Sequence, residues 1–564
     1  PLVATGKLNI ESLQAELTEQ ASQVRETSHW SLEELKKNIA PYESVWAVQT
    51  ERGFCLGYKG KPIQVDASLI EIGKVLSSKK LKWNGFDLKA IWHSLKIENA
   101  TTPEWDSQLA AYVIKAGDIS SFSETYSKYT NKKIADLATV EDFLFYQIEL
   151  ADILNERLKE VGGYSVLEKL DLPVVPILYS MESRGIKINA EELKAQSLTL
   201  NVDIEALEKQ IHSLAGESFN ISSPKQLGAI LFEKLKIPSV KKTKTGFSTG
   251  SEVLSKLAPE FPICELVMNY RELTKLKSTY VDAIPQLIDS TDGRIHTRFH
   301  QTVTLTGRLS STNPNLQNIP VRTERGRMIR KAFVAPEGSV LLSVDYSQIE
   351  LRILAEITGD PGLTKAFLDD VDIHSATAAE VFGIPLEQVN ADQRRMAKAV
   401  NFGIAYGQGV FGLAETLDIP QNEAKTIIEN YFQKFPKVKE YMFDIVNSAK
   451  EHGYVETKLG RKRYMDEFKS SNAMIRKFGE RAAINSPIQG TASDLMKLAM
   501  IEVYQNCSAK MLLQVHDELL FECFEDQVES DAEEISKVMT SVANFKIPLK
   551  VNVAWGKNWE DAHA

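Results

Sequence analysis

Apolar and polar positions follow two rhythms along this chain, and the shifts between them mark out three stretches. Up to about residue 170, short apolar runs at 44–48 and 54–58 have the length of strands, while 68–76 and 86–95 carry apolar residues at helical spacing. That pattern predicts a mixed α/β unit. From 172 the character changes: LPVVPILYSMESRGIKINAEELKAQSLTLNVDIEALEKQIHSL (172–214) predicts long helices around a turn at Gly185. Ser222, Ser223 and Pro224 form a helix-start signal, and KKTKTGFSTGS (241–251) predicts an exposed basic loop. From about Arg294 onward, strand-like runs at 340–345, 511–515 and 519–522 lie among long helices. This predicts a sheet with a large helical insertion between Asp345 and His516. No fixed-period repeat or low-complexity tract interrupts the chain.

Composition sets limits on this picture. Hydrophobic residues are 43% and charged residues 25% of 564, the profile of a soluble globular protein of several domains. Lys and Arg number 66 against 76 Asp and Glu, a formal net charge of −10. That excludes a uniformly basic nucleic-acid coat and leaves room for a basic cleft. Cys55, Cys264, Cys507 and Cys523 are too few and too dispersed for a disulfide scaffold or a zinc site, and fit a reducing, cytosolic compartment. No apolar run approaches the ~20 residues that cross a bilayer, so no membrane partner is expected. The opening PLVATGKLNIESLQAELTEQ lacks a signal pattern, and a start at Pro1 rather than Met is expected of the carboxy-terminal portion of a longer chain.

Carboxylates supply the first candidate chemistry. In SVLLSVDYSQIELRILAEI (339–357) the apolar run reads as a buried strand ending at Asp345, and Ser347 to Glu350 has capping-box spacing for a following helix. In MLLQVHDELLFE (511–522) two apolar strands flank a turn that places Asp517 and Glu518 at a hairpin tip. Either Asp alone is an ordinary turn residue. Together, on rigid elements, they are the acceptor-only oxygens that two-metal phosphoryl transfer requires.

Between them, QRRMAKAVNFGIAYGQG (393–409) spaces Arg394, Lys398, Phe402 and Tyr406 along one side of a helix. Two cations suit phosphates and two aromatics suit a sugar or base. Gly403 and Gly407 permit close approach of another group or mark a helix that moves. Two further clusters, Arg308, Gln317 and Asn318 with Arg322, Arg325, Arg327, Arg330 and Lys331, and Arg481, Asn485 and Gln489 at i, i+4 and i+8, pair phosphate-neutralising cations with groups that hydrogen-bond base edges.

At this length of match a family resemblance is specific. DYSQIELR (345–352), RRMAKAVNFGIAYG (394–407) and QVHDE (514–518) resemble the three polymerase motifs of family A DNA polymerases. TGRLSSTNPNLQNIP (306–320) and INSPIQGTASD (484–494) resemble the family's template–primer contact segments. The similarity runs in order from about Leu170 to Trp559, and the whole chain resembles the large, Klenow-like fragment of a bacterial DNA polymerase I.

The resemblance implies a multidomain α/β fold. It is a right hand of palm, fingers and thumb, preceded by a ribonuclease H-like 3′–5′ exonuclease-type α/β domain. Residues 1–169 would be the exonuclease-like domain, 170–300 a helical thumb, and 301–564 palm and fingers, with fingers at about 360–480 and the palm hairpin at 511–522. The implied activity is template-directed addition of dNTPs to a primer 3′-hydroxyl, in DNA replication and repair. Primer–template DNA and dNTPs would be the partners, two Mg²⁺ (Mn²⁺ substituting) the cofactors, and the state a monomer in the bacterial cytoplasm, at the nucleoid.

Asp345, Asp517 and the Tyr346 backbone carbonyl would be metal ligands, and Lys398 would protonate departing pyrophosphate. Arg394 and Lys398 would hold the triphosphate, with Phe402, Tyr406, Glu350, His516 and Gln348 around the nucleotide and Glu350 a steric gate at the 2′-position. Arg308, Gln317, Asn318, Arg481, Asn485, Gln489 and Glu518 would face DNA.

Asp87 and Asp106 resemble residues of the family's exonuclease site, but the rest of that site does not carry over. No Asp-x-Glu occurs upstream of Asp87, where the corresponding region SVWAVQTERGFCLGY (44–58) offers only Glu51, and Leu150 stands where a third-motif Asp is expected. Asp87 and Asp106 are thus vestigial, and no proofreading is expected. Alternatives remain: a single-subunit RNA polymerase, an inert DNA-binding scaffold and, last, a dedicated nuclease.

Overall fold

The structure, a computed structural model, describes residues 27–117, 121–238, 242–243, 246–320 and 323–563. Arg322 and the opening twenty residues quoted above lie outside the described residues. Six strands form the first sheet: β1 (Ser28–Trp30), β2 (Ser44–Thr50), β3 (Gly53–Tyr58), β4 (Lys61–Val65), β5 (Lys82–Gly85) and β6 (Trp105–Asp106), in the order β1-β4-β3-β2-β5-β6. β2, β3 and β4 are antiparallel neighbours, whereas β5 runs parallel to both β2 and β6. Helices α1 (Leu88–Leu95), α2 (Ser107–Ile114) and α3 (Val140–Val161) bury their apolar stripes in a core that includes Trp83, Trp92 and Leu154. Leu150 lies in that core with no exposed surface, so the position offers apolar packing where a ligand would have to face a cleft.

α4 (Leu172–Arg184) leads out of this unit and ends at Gly185, whose φ of +64° takes the chain into the left-handed region. A Cβ there would stand 2.6 Å from the Ile295 carbonyl oxygen, so only glycine fits the turn. α5 (Ala190–Ala215) packs against α6 (Pro262–Leu276), and the far end of α5 closes a small separate core with Leu227, Cys264 and Val267. The basic stretch expected to be a loop instead pairs with itself: Lys242 and Thr243 lie antiparallel to Phe247 and Gly246.

Past α7 (Glu324–Lys331) comes the second sheet. β7 (Ser339–Tyr346), β8 (Lys510–Val515), β9 (Glu518–Phe524) and β10 (Val551–Gly556) lie in the order β8-β9-β7-β10, all antiparallel. β7 is buried along nearly its whole length, which is why SVLLSV reads as a continuous apolar run. Between β7 and β8 the chain forms α8 (Ile349–Thr358), α9 (Ile373–Phe382), α10 (Ala391–Ala405), α11 (Pro436–His452) and the 34-residue α12 (Ala473–Asn506). α13 (Val528–Ser541) covers β7 and β10.

Two buried ionic nodes tie these parts together. Asp171, just before α4, accepts from both terminal nitrogens of Arg461 at 2.9 Å and from Lys497 of α12 at 2.6 Å, while Asp494 takes the Arg461 Nε at 2.7 Å. Burial pushes the Asp171 carboxyl up, but the two cations outweigh it and hold it down at about 2. Glu182 of α4 is likewise enclosed by Lys89 and His93 of α1, by Arg298 and by the Phe299 amide. Its carboxyl, raised by burial, is brought down to about 2 by the hydrogen bond from His93 and the charge of Lys89.

Candidate active site

Asp345 is the next-to-last residue of β7 and pairs in register with Glu518, the first of β9. Asp517 precedes Glu518 in the two-residue turn from β8, and its carbonyl accepts the Tyr346 amide at 3.0 Å. Asp345, Asp517 and Glu518 are therefore brought to one corner of the sheet. They do not play equal parts. Glu518 is not at the tip, as expected, but buried in the strand, where its Oε1 accepts from Ser343 Oγ at 2.7 Å and Trp559 Nε1 at 3.0 Å. Beneath it the Arg330 guanidinium, 1% exposed, stacks over Trp559 at 4.2 Å and lies 3.8 Å from the other Glu518 oxygen. Glu518 thus faces inward and serves the sheet, leaving Asp345 and Asp517 to the cleft.

Burial raises the Asp345 carboxyl to about 7, with the charges of Asp517 and Glu518 adding to it, and burial raises Asp517 despite Arg308 nearby. Carboxylates under such pressure are relieved by a cation. Both flanking turns hold non-glycine residues in the left-handed region, Gln348 at φ +54° and His516 at +55°.

Glu350 is buried in the first turn of α8, and the capping box expected with Ser347 does not form. The N-cap is Gln348, in the left-handed region and without a side-chain cap. The Glu350 carboxylate instead accepts from Arg308 at 2.6 Å, a charge-assisted bond that outweighs a cap; Tyr406 lies beside it, and the Glu350 Oε2 has no hydrogen-bond partner among the described residues. Glu350, Arg308 and Tyr406 form a closed wall beside Asp517.

From that wall the site continues along α10. Tyr406 lies one residue past the helix end, a departure from the expected continuous helix, because Gly407 (φ +68°) turns the chain. A Cβ on Gly407 would stand 3.2 Å from Arg481 Cα and Ile484 Cδ1, so the group approached here is the α12 turn bearing Arg481. The rings of Tyr406 and Phe402 are 6.1 Å apart, and His374 of α9 lies 5.8 Å from Phe402. Exposed Lys398 and Arg394 follow on preceding turns, and Arg394 is bound by both oxygens of Asp372.

On the other side, a cavity of about 190 Å³ is lined by Arg308, Gln317, Asn318, His516 and Asp517, with Met496 of α12 on the facing wall. Gln317 donates to Gln514 at 3.2 Å. Arg481, Asn485 and Gln489 lie on earlier turns of α12; Arg481 is exposed, the other two are half-buried, and Asn485 Oδ1 has no partner among the described residues.

In the first unit, Asp106 is buried and its two oxygens accept four backbone N–H groups, from Asp87, Leu88, Gln108 and Leu109, at 2.9 to 3.3 Å. It caps α1 and α2 together. Asp87 sits at φ +53° with no capping bond of its own, on the wall of a cavity of about 380 Å³. Glu51 and Glu149 do not line that cavity; Glu149 is bound to Tyr126 and Lys132.

Reading the sequence missed Asp372, His374 and Asn401, which form the back of the α9–α10 surface. Asn401 is fully buried and bonds His374 Nδ1 at 3.2 Å and Thr377 at 3.0 Å. An Asn inside a helical apolar pattern is a signal, but its partners lie some 25 positions away and only folding names them.

Residues 190–561 match the family model described as DNA polymerase family A. The chain is 43% identical over 546 residues to DNA polymerase I of Pseudomonas aeruginosa, covering 90% of this chain and 60% of that one. It is 42% identical to DNA polymerase I of Caldicellulosiruptor bescii, covering 97% and 66%. It thus spans roughly three-fifths to two-thirds of the curated relatives it matches. Among solved structures, the POL domain of Pol1 from M. smegmatis, in complex with DNA primer-template and dNTP, superimposes with a TM-score of 0.88 at 35% identity, over 95% of this chain and all of that one.

Proposed function

The chain belongs to DNA polymerase family A, and we propose that it extends a DNA primer along a template by adding deoxynucleotides from dNTPs. The observation that carries this reading is the corner where β7 meets the β8–β9 turn. There Asp345 is driven toward protonation by burial and by Asp517, and Tyr406, at the end of the helix that bears Arg394 and Lys398, feels the charge of Asp517. The donors at that corner, carboxylate oxygens with the Tyr346 carbonyl, are the hard oxygen set that two Mg²⁺ ions take and Mn²⁺ accepts. When bound, such ions supply a lowered pKa at the primer 3′-hydroxyl and charge neutralisation at the leaving oxygen.

The residues do the rest. Asp345, at the end of β7, and Asp517, in the β8–β9 turn, would hold the ions. Arg394 and Lys398 bind the triphosphate, and Lys398 hands a proton to the departing pyrophosphate. Glu350, braced by Arg308 and Tyr406, fills the space a ribose 2′-hydroxyl would need, with Phe402, His516 and Gln348 around the nucleotide. Arg308, Gln317, Asn318, Arg481, Asn485 and Gln489 contact the duplex. Glu518, buried beneath the corner, supports Asp345 instead of touching DNA.

In this reading 170–300 is the thumb, 301–564 palm and fingers, and 1–169 an exonuclease-like unit without its activity. The protein works as a monomer on primer–template DNA in replication and repair, at the bacterial nucleoid.

The test is a primed template with dNTPs or rNTPs, with and without Mg²⁺. Extension by dNTPs that requires the metal is expected. Failure to extend would overturn the proposal, and a preference for rNTPs would move the chain to RNA synthesis.

A further inference from the structure

We propose that Asp372 is a positioning residue for Arg394, holding one edge of its guanidinium so that the opposite edge faces the triphosphate of an incoming nucleotide. The inference deepens the reading of Arg394 given above and rests on it.

Asp372 is the N-cap of α9, and its Oδ1 accepts the Ser375 amide at 2.7 Å, so the carboxylate is pinned to the helix end. Arg394, in the first turns of α10, donates Nε to Oδ1 at 3.0 Å and one terminal nitrogen to Oδ2 at 2.9 Å. This bidentate pairing fixes the plane of the guanidinium as well as its place. The other terminal nitrogen has no partner among the described residues, and it lies on the edge away from Asp372.

The two helices are fixed to each other independently of this pair. Asn401 of α10 donates to His374 Nδ1 of α9 at 3.2 Å and bonds to Thr377 at 3.0 Å, all of it buried. The distance from Asp372 to the Arg394 backbone is therefore set by a buried junction, and the exposed ion pair only orients a side chain. His374 feels the charges of both Lys398 and Arg394, so the cations gather around one patch.

An ion pair this exposed contributes little to stability. Its effect lies in arginine's rotamer freedom, which an arriving phosphate would otherwise have to freeze. Immobilising one such side chain beforehand is worth on the order of three- to tenfold in affinity.

The experiment compares the wild type, Asp372→Asn, Arg394→Ala and the double variant on a primed template. Asn keeps the capping oxygen and removes the second acceptor. Asp372→Ser, which also caps, is the second variant should Asn perturb folding as judged by thermal melting. The expected result is a KM for dNTP raised about three- to tenfold in Asp372→Asn, with kcat and primer–template affinity within about twofold. A larger rise is expected in Arg394→Ala, and no further rise in the double variant.

An unchanged KM in Asp372→Asn would reduce the pair to a surface ion pair, and a lowered KM would make Asp372 a competitor of the nucleotide. Either overturns the proposal, as does an equal effect of Asp372→Asn in both backgrounds. Calorimetric binding of inorganic tripolyphosphate to the free chain should follow the same pattern without turnover, and no loss of tripolyphosphate affinity in Asp372→Asn would also overturn it. A wild type that binds tripolyphosphate through this pair yet extends no primer would sink the polymerase reading and leave the pair standing.

Discussion

Asp345 and Asp517 differ from the other acidic residues of the molecule in what holds them. Most are solvated, ion-paired or capping helices; burial presses these two toward protonation, as it does Asp106 and Glu350, but unlike those two their carboxylates have no hydrogen-bond partner among the described residues. Asp345→Ala and Asp517→Ala should each reduce primer extension to below a few per cent of wild type and leave most duplex affinity, which depends on Lys and Arg at phosphates. Extension time courses and filter binding check this; substantial turnover in either variant would refute the assignment. Glu350 is a different case. Its burial, Arg308 and Tyr406 lock the carboxylate in place, so Glu350→Ala should open the pocket and relax discrimination against ribonucleotides by about tenfold or more. An unchanged ratio of rNTP to dNTP efficiency would leave Glu350 only a structural partner of Arg308.

Among elements, the capping contacts separate function from scaffold. Asp106, whose sequence context resembles that of an exonuclease ligand, has its oxygens taken up by four backbone amides that start α1 and α2. Asp106→Ala should therefore destabilise the first unit by about 1–3 kcal/mol, read by urea denaturation. The wild type should release no label from a mismatched 3′-labelled primer with Mg²⁺ or Mn²⁺ and no dNTPs. Label release that disappears in an Asp87→Ala, Asp106→Ala double variant would show an active nuclease. At the start of α8 the same kind of signal misled: Ser347 to Glu350 has capping-box spacing, yet Glu350 turns to Arg308 because a buried carboxylate gains more from a cation than from an amide.

Across the whole molecule, Glu182 joins α1 of the first unit to α4 and the 298–299 segment, and Asp171 joins the start of α4 to Arg461 and α12. Both carboxyls lie near 2, below the usual unfolded values near 4. The unfolded chain therefore takes up protons first as pH falls. Their stabilisation is complete above about pH 4–5 and is lost progressively toward pH 2. Denaturation midpoints should fall steeply between pH 5 and 3, and less steeply in Asp171→Asn. At neutral pH Asp171→Ala, which leaves Arg461 and Lys497 buried and uncompensated, should cost about 3–5 kcal/mol. A loss under 1 kcal/mol would mean that water reaches the node.

What the sequence determined by itself were the parts whose information is local. The strand ending at Asp345, the hairpin around Asp517, the turn at Gly185 and the helix bearing Arg394 and Lys398 are all legible, because periodicity and turn chemistry act over a few residues. Tertiary structure decided which of those residues meet. It turned Glu518 inward onto Ser343, Trp559 and Arg330, and bound Glu350 to Arg308 across 42 positions. It pinned Arg394 to Asp372 and closed Asp171 on Arg461 and Lys497, about 300 residues away. Those choices follow from burial and charge pairing, which depend on what surrounds a side chain, and no local pattern of residues records that surrounding.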